Sequence, residues 1–272
     1  MSDSKRHKPE EIANLDATAQ RLAVAARKAI LPYFRRYDLS TENKLDKGYD
    51  PVTQADRAAE QAMRSILAIE HPEDGILGEE FGAKPGSSGL TWVLDPIDGT
   101  RGFVSGTPTW GVLIAVSDDQ GPFYGLIDQP YIGERFIGCA GRARMTGPQG
   151  QLSLETRRTK SLADAVIFTT FPEVGTPQER AAFHSVAEKT KLTRYGMDCY
   201  AYALLAAGQI DLVIEAGLQA YDIQAPIALI EAAGGIVTDW QGGPAHLGGR
   251  ALAAANTQLH AEALALLSQA IT

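Results

Sequence analysis

Apolar residues first recur at helical spacing. Ile12, Leu15, Ala19, Leu22 and Ala26 fall on one face, which predicts a long amphipathic helix over residues 10–34. Gly48, Asp50 and Pro51 mark a loop. A second helix is predicted over residues 56–70, with Met63, Ile66 and Leu67 on its apolar side and His71-Pro72 ending it. From Trp92 the pattern becomes strand-like: "WVLD", "WGVLIAVS", "PFYGLIDQP" and "ERFIGCA" predict a largely antiparallel sheet over residues 92–140. Helices and strands then alternate. "AVIFTTF", "DLVIEAG" and "IVTDW" read as strands; "TPQERAAFHSVAEKT", "DCYAYALLAAG", "DIQAPIALIEAAGG" and residues 258–270 read as helices. The expectation is an α/β chain of two lobes, residues 1–150 and 151–272, dividing near 145–160 and packed as alternating layers of helix and sheet.

Composition narrows the function classes. The 272 residues carry a net charge of −8, with no Lys/Arg block to offset phosphate repulsion, so general nucleic-acid binding is not expected. Cys139 and Cys199 are the two cysteines, and no Cys-x-x-Cys occurs, which argues against a disulfide framework or structural zinc. The polar N-terminal stretch lacks the apolar core of a signal peptide. No apolar run approaches the roughly 20 residues that span a bilayer. The expected location is the cytoplasm, without a membrane partner.

The candidate chemistry is acidic. Asp56 opens a predicted helix in "DPVTQAD", Glu79 and Glu80 follow a glycine in "ILGEEFG", Asp95 and Asp98 end a strand in "VLDPIDGT", and Asp222 opens a helix in "AYDIQAP". Taken singly, Asp56 and Asp222 read as helix caps and the Glu pair as a solvated turn. Asp95 and Asp98 resist that reading. A strand end carrying two unpaired buried charges would cost several kcal/mol, and Pro96 holds both carboxylates on one rigid turn. Together the four places form a set of hard oxygen ligands, suited to Mg²⁺ or Mn²⁺ rather than zinc.

"GEEFG", "WVLDPIDGTRGFVSG" and "YDIQAPIALIEAAGGIVTDW", with "DPVTQADRAAE" upstream, resemble the inositol-monophosphatase-like family of Mg²⁺-dependent, Li⁺-sensitive phosphatases over nearly the whole chain. The resemblance implies an α/β/α/β/α sandwich of the inositol monophosphatase and fructose-1,6-bisphosphatase type. It implies hydrolysis of a small phosphorylated metabolite with two or three Mg²⁺ per site, Mn²⁺ as a substitute and Li⁺ as an inhibitor. Glu79, Asp95, the Ile97 carbonyl, Asp98 and Asp222 are then the metal ligands, and Asp56 serves a third, weaker ion. Glu79 and the Thr100 hydroxyl would orient and deprotonate the attacking water. The Gly99 and Thr100 amides would cradle phosphate oxygens, Gly99 letting the backbone approach closely. Metal charge would offset that of the ester and of the leaving alkoxide in an in-line displacement. Glu80 is left open between a supporting role and a solvated one. A metal-binding scaffold without activity would show a missing ligand, and none is missing. A homodimer is the expectation by analogy with the family.

The C-terminal half resembles the histidinol-phosphate phosphatase branch. Asp198-Cys199-Tyr200 precedes a helix, Tyr221 stands where the family commonly has Trp, and Arg101 follows the Gly-Thr pair. L-Histidinol phosphate carries an amine and an imidazole, both able to be cationic near neutral pH. Its pocket therefore needs carboxylates beyond the metal ligands. Asp198 is the leading candidate, with an N-cap as its alternative. Glu215 lines the same pocket or ends a solvated strand. Arg101 contacts phosphate or makes a surface ion pair, and Asp222 completes the substrate contacts. Tyr200 and Tyr202 read as core. Lys44 and Lys47 precede Asp56 in a loop that the family places over the metals. The alternative substrate is inositol 1-phosphate or a broader set of sugar phosphates.

Overall fold

The computed structural model describes residues 7–36, 41–43, 51–171 and 173–271. Lys44 and Lys47, with the rest of the Lys44–Tyr49 loop, lie outside the described residues. Helix α1 (Pro9–Ile30) buries the predicted stripe, Leu15, Ala19, Leu22 and Ala26 among it. It stops earlier than expected: Pro32 brings no N–H to continue the ladder, and Phe34 instead packs in a turn against Phe103 and Trp110, at ring distances of 5.3 and 5.2 Å. Strands β1 (Thr41–Asn43) and β2 (Pro51–Thr53) pair antiparallel. Helix α2 (Gln54–Glu70) then packs along α1.

The first large sheet is built from β3 (Gly75–Gly78), β4 (Gly82–Lys84), β5 (Thr91–Asp98), β6 (Gly111–Asp118), β7 (Gly121–Gln129), β8 (Glu134–Cys139), β9 (Arg142–Gly147) and β10 (Gly150–Ser153), with the short helix α3 (Thr100–Ser105) after β5. Its order is β10-β9-β8-β7-β6-β5-β3-β4, and every pairing is antiparallel except β3 with β5. The remaining elements are β11 (Val166–Thr169), α4 (Pro177–Ala187), β12 (Leu192–Tyr195), α5 (Cys199–Ala206), β13 (Leu212–Leu218), α6 (Ala220–Ala232), β14 (Ile236–Thr238), β15 (Gly249–Ala254) and α7 (Thr257–Ile271). They supply a second sheet, ordered β12-β11-β13-β15-β14.

Three apolar cores show the layering. One joins α1 and α2 to a face of the first sheet through Trp92, Leu94, Val112 and Ile114. The second joins the opposite face, through Val93 and Leu113, to α5, α6 and Val213 of the second sheet. The third joins the far face of the second sheet, through Leu212 and Ile214, to α4 and α7. This is the α/β/α/β/α sandwich. Helix α6 lies directly on the first sheet at two glycines: a Cβ on Gly125 would come within 2.2 Å of the Ala225 carbonyl, and one on Gly138 within 2.3 Å of Leu229 Cα. The period-2 pleat then places the chemistry. Asp95 follows Val93 onto the face toward the middle layer, and Glu215 follows Val213 onto the facing one. Both point toward the level at which α5 and α6 begin.

Candidate active site

The end of β5 carries the first two carboxylates. Pairing with β6 runs regularly to Asp95 opposite Leu113, then shifts so that Asp98 faces Gly111. Pro96 and Ile97 occupy that irregularity, and Asp95 Oδ1 accepts the Ile97 N–H at 3.0 Å. Gly99 follows at φ 84°, a left-handed conformation that glycine adopts freely. A side chain there would also meet Asp198 Cγ at 2.6 Å. The chain then enters α3, and the Thr100 hydroxyl donates to the Ile97 carbonyl at 3.0 Å. Asp98 Oδ2 accepts the Cys199 N–H at 2.6 Å, tying β5 to the start of α5. Asp222 sits at the third position of α6, and its Oδ2 accepts the Gln219 N–H at 2.7 Å in a capping box.

These elements bring one oxygen each of Asp95, Asp98 and Asp222 within 4.8 Å of one another. Burial pushes the Asp95 carboxyl well above its usual range, and the charges of Glu79, Asp98 and Asp222 add to it. Burial does the same to Asp98, reinforced by Asp222, Asp198 and Glu215. The Glu79 side chain also approaches the Asp95 carboxyl closely enough to raise it further, which brings together two groups that are both anions in water. Asp56 Oδ1 is buried without a hydrogen-bond partner, while Oδ2 accepts from the Thr53 amide at 2.9 Å and hydroxyl at 2.6 Å. All these donors are oxygens, and converging carboxylates raised by one another's charge fit a hard divalent cation.

The same set predicts how stability depends on pH. Burial, opposed by the Thr53 hydrogen bonds and aided by Glu79 and Glu80, lifts Asp56 from 3.8 to about 7. A carboxyl raised in the folded state holds its proton there after the unfolded chain has lost it, so its ionisation opposes folding. That penalty is absent below the unfolded pKa and grows until pH passes about 7. Chelator-treated protein should therefore melt at a lower temperature at about pH 8 than at about pH 5, and added Mg²⁺ should raise the melting temperature more at the higher pH. A melting temperature in chelator that climbs between those two pH values would contradict this account.

A cavity of about 390 Å³ opens beside the cluster, lined by Glu79, Asp95, Ile97, Asp98, Gly99, Thr100, Arg101, Asp198, Glu215 and Asp222. Among the described candidates, Asp56 and Glu80 lie outside that lining. Asp198 stands at the N-cap position of α5 but makes no cap bond; its Oδ2 accepts from the Thr109 hydroxyl at 2.9 Å. Burial raises its pKa, against the attraction of Arg101. Glu215 is buried rather than a solvated strand end, and Oε1 accepts from the Thr170 amide at 2.9 Å and hydroxyl at 2.5 Å. Burial raises its pKa, and these bonds oppose the rise. Tyr202, read as core, is buried but also donates to Glu215 Oε2 at 3.0 Å, whereas Tyr200 donates to Glu134 at 2.6 Å. The Glu80 side chain is 3% exposed, which removes the solvated-turn reading. Sequence reasoning missed Thr109, Thr170 and Phe171. Phe171, 43% exposed at the rim, carries the Arg101 guanidinium 4.7 Å from its ring centre. Thr169, Thr170 and Phe171 close the predicted strand "AVIFTTF", whereas the observed strand stops at Thr169 and frees Thr170 and Phe171 for the cavity wall.

A family model described as the inositol monophosphatase family matches residues 11–272. The chain belongs to this family. Members are phosphatases of small phosphorylated substrates and are generally metal-dependent, as the acidic cluster suits. Among relatives, the chloroplastic bifunctional phosphatase IMPL2 of Arabidopsis thaliana is 42% identical over 255 residues, covering 89% of this chain and 71% of that protein. The histidinol-phosphatase of Chlorobaculum parvum is 34% identical, with 89% and 92% covered. The solved structure of an inositol monophosphatase from Zymomonas mobilis superposes with a TM-score of 0.83 at 38% identity, covering 96% of this chain and all of that one. Among the described residues no helix is long and apolar enough to cross a membrane.

Proposed function

We propose that this phosphatase hydrolyses L-histidinol phosphate to L-histidinol and phosphate, a step of histidine biosynthesis. The observation that carries the reading is the pair of carboxylates, Asp198 and Glu215, on the wall of the cavity and outside the Asp95–Asp98–Asp222 cluster. A neutral polyol gives no reason to bury two further anions, whereas a substrate with an ammonium and an imidazolium offsets both. Asp198 takes the leading role, because both Glu215 oxygens are already engaged by Thr170 and Tyr202. The Chlorobaculum parvum relative is named for this activity.

In this reading Glu79, Asp95, the Ile97 carbonyl, Asp98 and Asp222 hold two Mg²⁺, and Asp56 serves a third. When bound, the cations supply positive charge against the ester and its leaving oxygen and acidify water. The chain's own groups do the remaining work. The Thr100 hydroxyl, its proton directed at the Ile97 carbonyl, offers its lone pairs toward the cavity and orients a water molecule. The Glu79 carboxylate takes the proton from that water. The Gly99 and Thr100 amides contact phosphate oxygens, and Arg101 closes the rim. The reading includes a cytoplasmic homodimer, Mn²⁺ as a substitute ion, Li⁺ as an inhibitor, and two lobes meeting near residues 145–160.

A second reading, inositol 1-phosphate or a wider set of sugar phosphates, draws on Thr169 and Thr170, which line the cavity and are partners for substrate hydroxyls. Steady-state turnover separates the two. The expected kcat/KM on L-histidinol phosphate exceeds that on inositol 1-phosphate and on nucleoside monophosphates by roughly tenfold or more, the scale of one charge-assisted contact. Equal or better turnover of inositol 1-phosphate overturns the first reading.

A further inference from the structure

The turn that carries Glu79 is gripped from two neighbouring elements. It joins β3 to β4, and β4 is an exposed edge strand. Phe81, its one large apolar residue, is 47% exposed. One anchor comes from the sheet, the Glu79 N–H donating to the Leu94 carbonyl at 3.2 Å. The other comes from Glu60 of α2, a fully buried carboxylate that neither the metal cluster nor the cavity includes. Glu60 Oε2 accepts the Glu80 N–H at 2.7 Å, and Oε1 accepts the Phe81 N–H at 3.2 Å and Arg64 Nε at 2.7 Å. Arg64 also donates to the Gly82 carbonyl, closing the far side of the turn. Gly78 makes this seat possible, since a Cβ there would lie 2.0 Å from Glu60 Oε1.

Asp56, Glu60 and Arg64 are spaced four apart, so they share one face of α2. Asp56 faces Glu79 and Glu80 closely enough for their charges to raise its pKa. One helix face thus presents a candidate ligand and, a turn later, grips the backbone that presents another. We propose that Glu60 is a positioning residue: its charge, shared among two turn amides and Arg64, fixes Glu79 against Asp56 and Asp95 for cation binding. It touches neither ion nor substrate. The inference rests on Glu79 being a metal ligand, as in the reading above.

Mn²⁺ binding to the intact protein without substrate, followed by the paramagnetic signal of the free ion, tests it. Glu60→Gln keeps the shape but turns an amide NH2 toward groups that are themselves donors. The expected result is a dissociation constant raised about tenfold or more, as for other groups that orient metal ligands. kcat at saturating Mg²⁺ should stay within about threefold of wild type, so the loss appears as a shifted cation requirement. Gly78→Ala, pressing on the same carboxylate from the other side, should weaken Mn²⁺ in the same direction, and it decides the matter if Glu60→Gln does not fold. Unchanged Mn²⁺ affinity in a folded variant overturns the proposal, as does a loss of kcat that no cation concentration restores. Glu79→Gln separates the two layers of argument. If it leaves Mn²⁺ affinity unchanged, the ligand reading of Glu79 falls; if it weakens binding while Glu60→Gln does not, only the role of Glu60 falls.

Discussion

Asp95→Asn is expected to reduce Mg²⁺-dependent phosphate release by about a thousandfold or more, the scale set by removing a group aimed at transition-state charge. The substitution changes little else. An amide oxygen can still accept the Ile97 N–H that Asp95 Oδ1 accepts at 3.0 Å, so the turn survives. What disappears is the charge at the point where Glu79, Asp98 and Asp222 all press on one carboxyl. A second consequence runs the opposite way. Burial raises the Asp95 pKa in the folded chain, so a penalty against folding grows as pH rises above the unfolded carboxylate range, and the neutral amide relieves it. In chelator at alkaline pH the variant should melt at a higher temperature than wild type while being inactive. Phosphate release and a thermal melt in chelator check both halves. Turnover within tenfold of wild type, on the scale of a mere supporting group, would remove Asp95 from the centre of the site. Measurable release by wild type and its loss here also exclude a silent scaffold.

Asp198→Asn should act on one substrate only. Asn fills the same space against Gly99 and Gly102, and its carbonyl oxygen can accept from the Thr109 hydroxyl in place of Oδ2. The phosphate loop is therefore expected to keep its shape. A hydrogen bond to a charged group contributes about 1.5–3 kcal/mol, so KM for L-histidinol phosphate should rise about ten- to a hundredfold. For inositol 1-phosphate, which brings no cation to that end of the cavity, the change should stay within about threefold. Parallel kinetics on the two esters provide the check. An equal loss on both assigns Asp198 to supporting the Gly99 backbone and removes it from selectivity.

Asp95 and Asp98 were legible in the sequence because a strand of apolar residues ending in two acids around a proline contradicts burial unless something compensates the charge. Helices α1 and α2 were legible because one face of each is buried and the other is not. The signal failed where those contrasts vanish. Strand β15, "GRALAA", is half alanine and reads as neither period, and β12 is a four-residue edge strand with mostly exposed side chains. Glu60 was invisible for a different reason. A glutamate four residues from both Asp56 and Arg64 reads as part of a solvated charged row, and its burial exists only once the β3–β4 turn has folded over it. Asp198 was chosen for its charge, but its backbone, at φ 47° and ψ −146°, could not be read from residue types. Strained geometry at a cavity wall is a tertiary property.

The glycine joint between α6 and the first sheet has a consequence for the order of assembly. The amides and carboxylates at the end of β5 belong to one sheet, whereas Asp222 arrives only when α6 settles onto Gly125 and Gly138. A nascent chain whose first sheet is complete but whose later helices are still undocked holds Asp56, Glu79, Asp95 and Asp98 without the group that closes the cluster. With Asp222 as a ligand, as proposed above, such a molecule would have anions to attract a cation but an incomplete set to hold it. On that reading the complete ligand set, and activity with it, is expected only once α6 has docked on the first sheet.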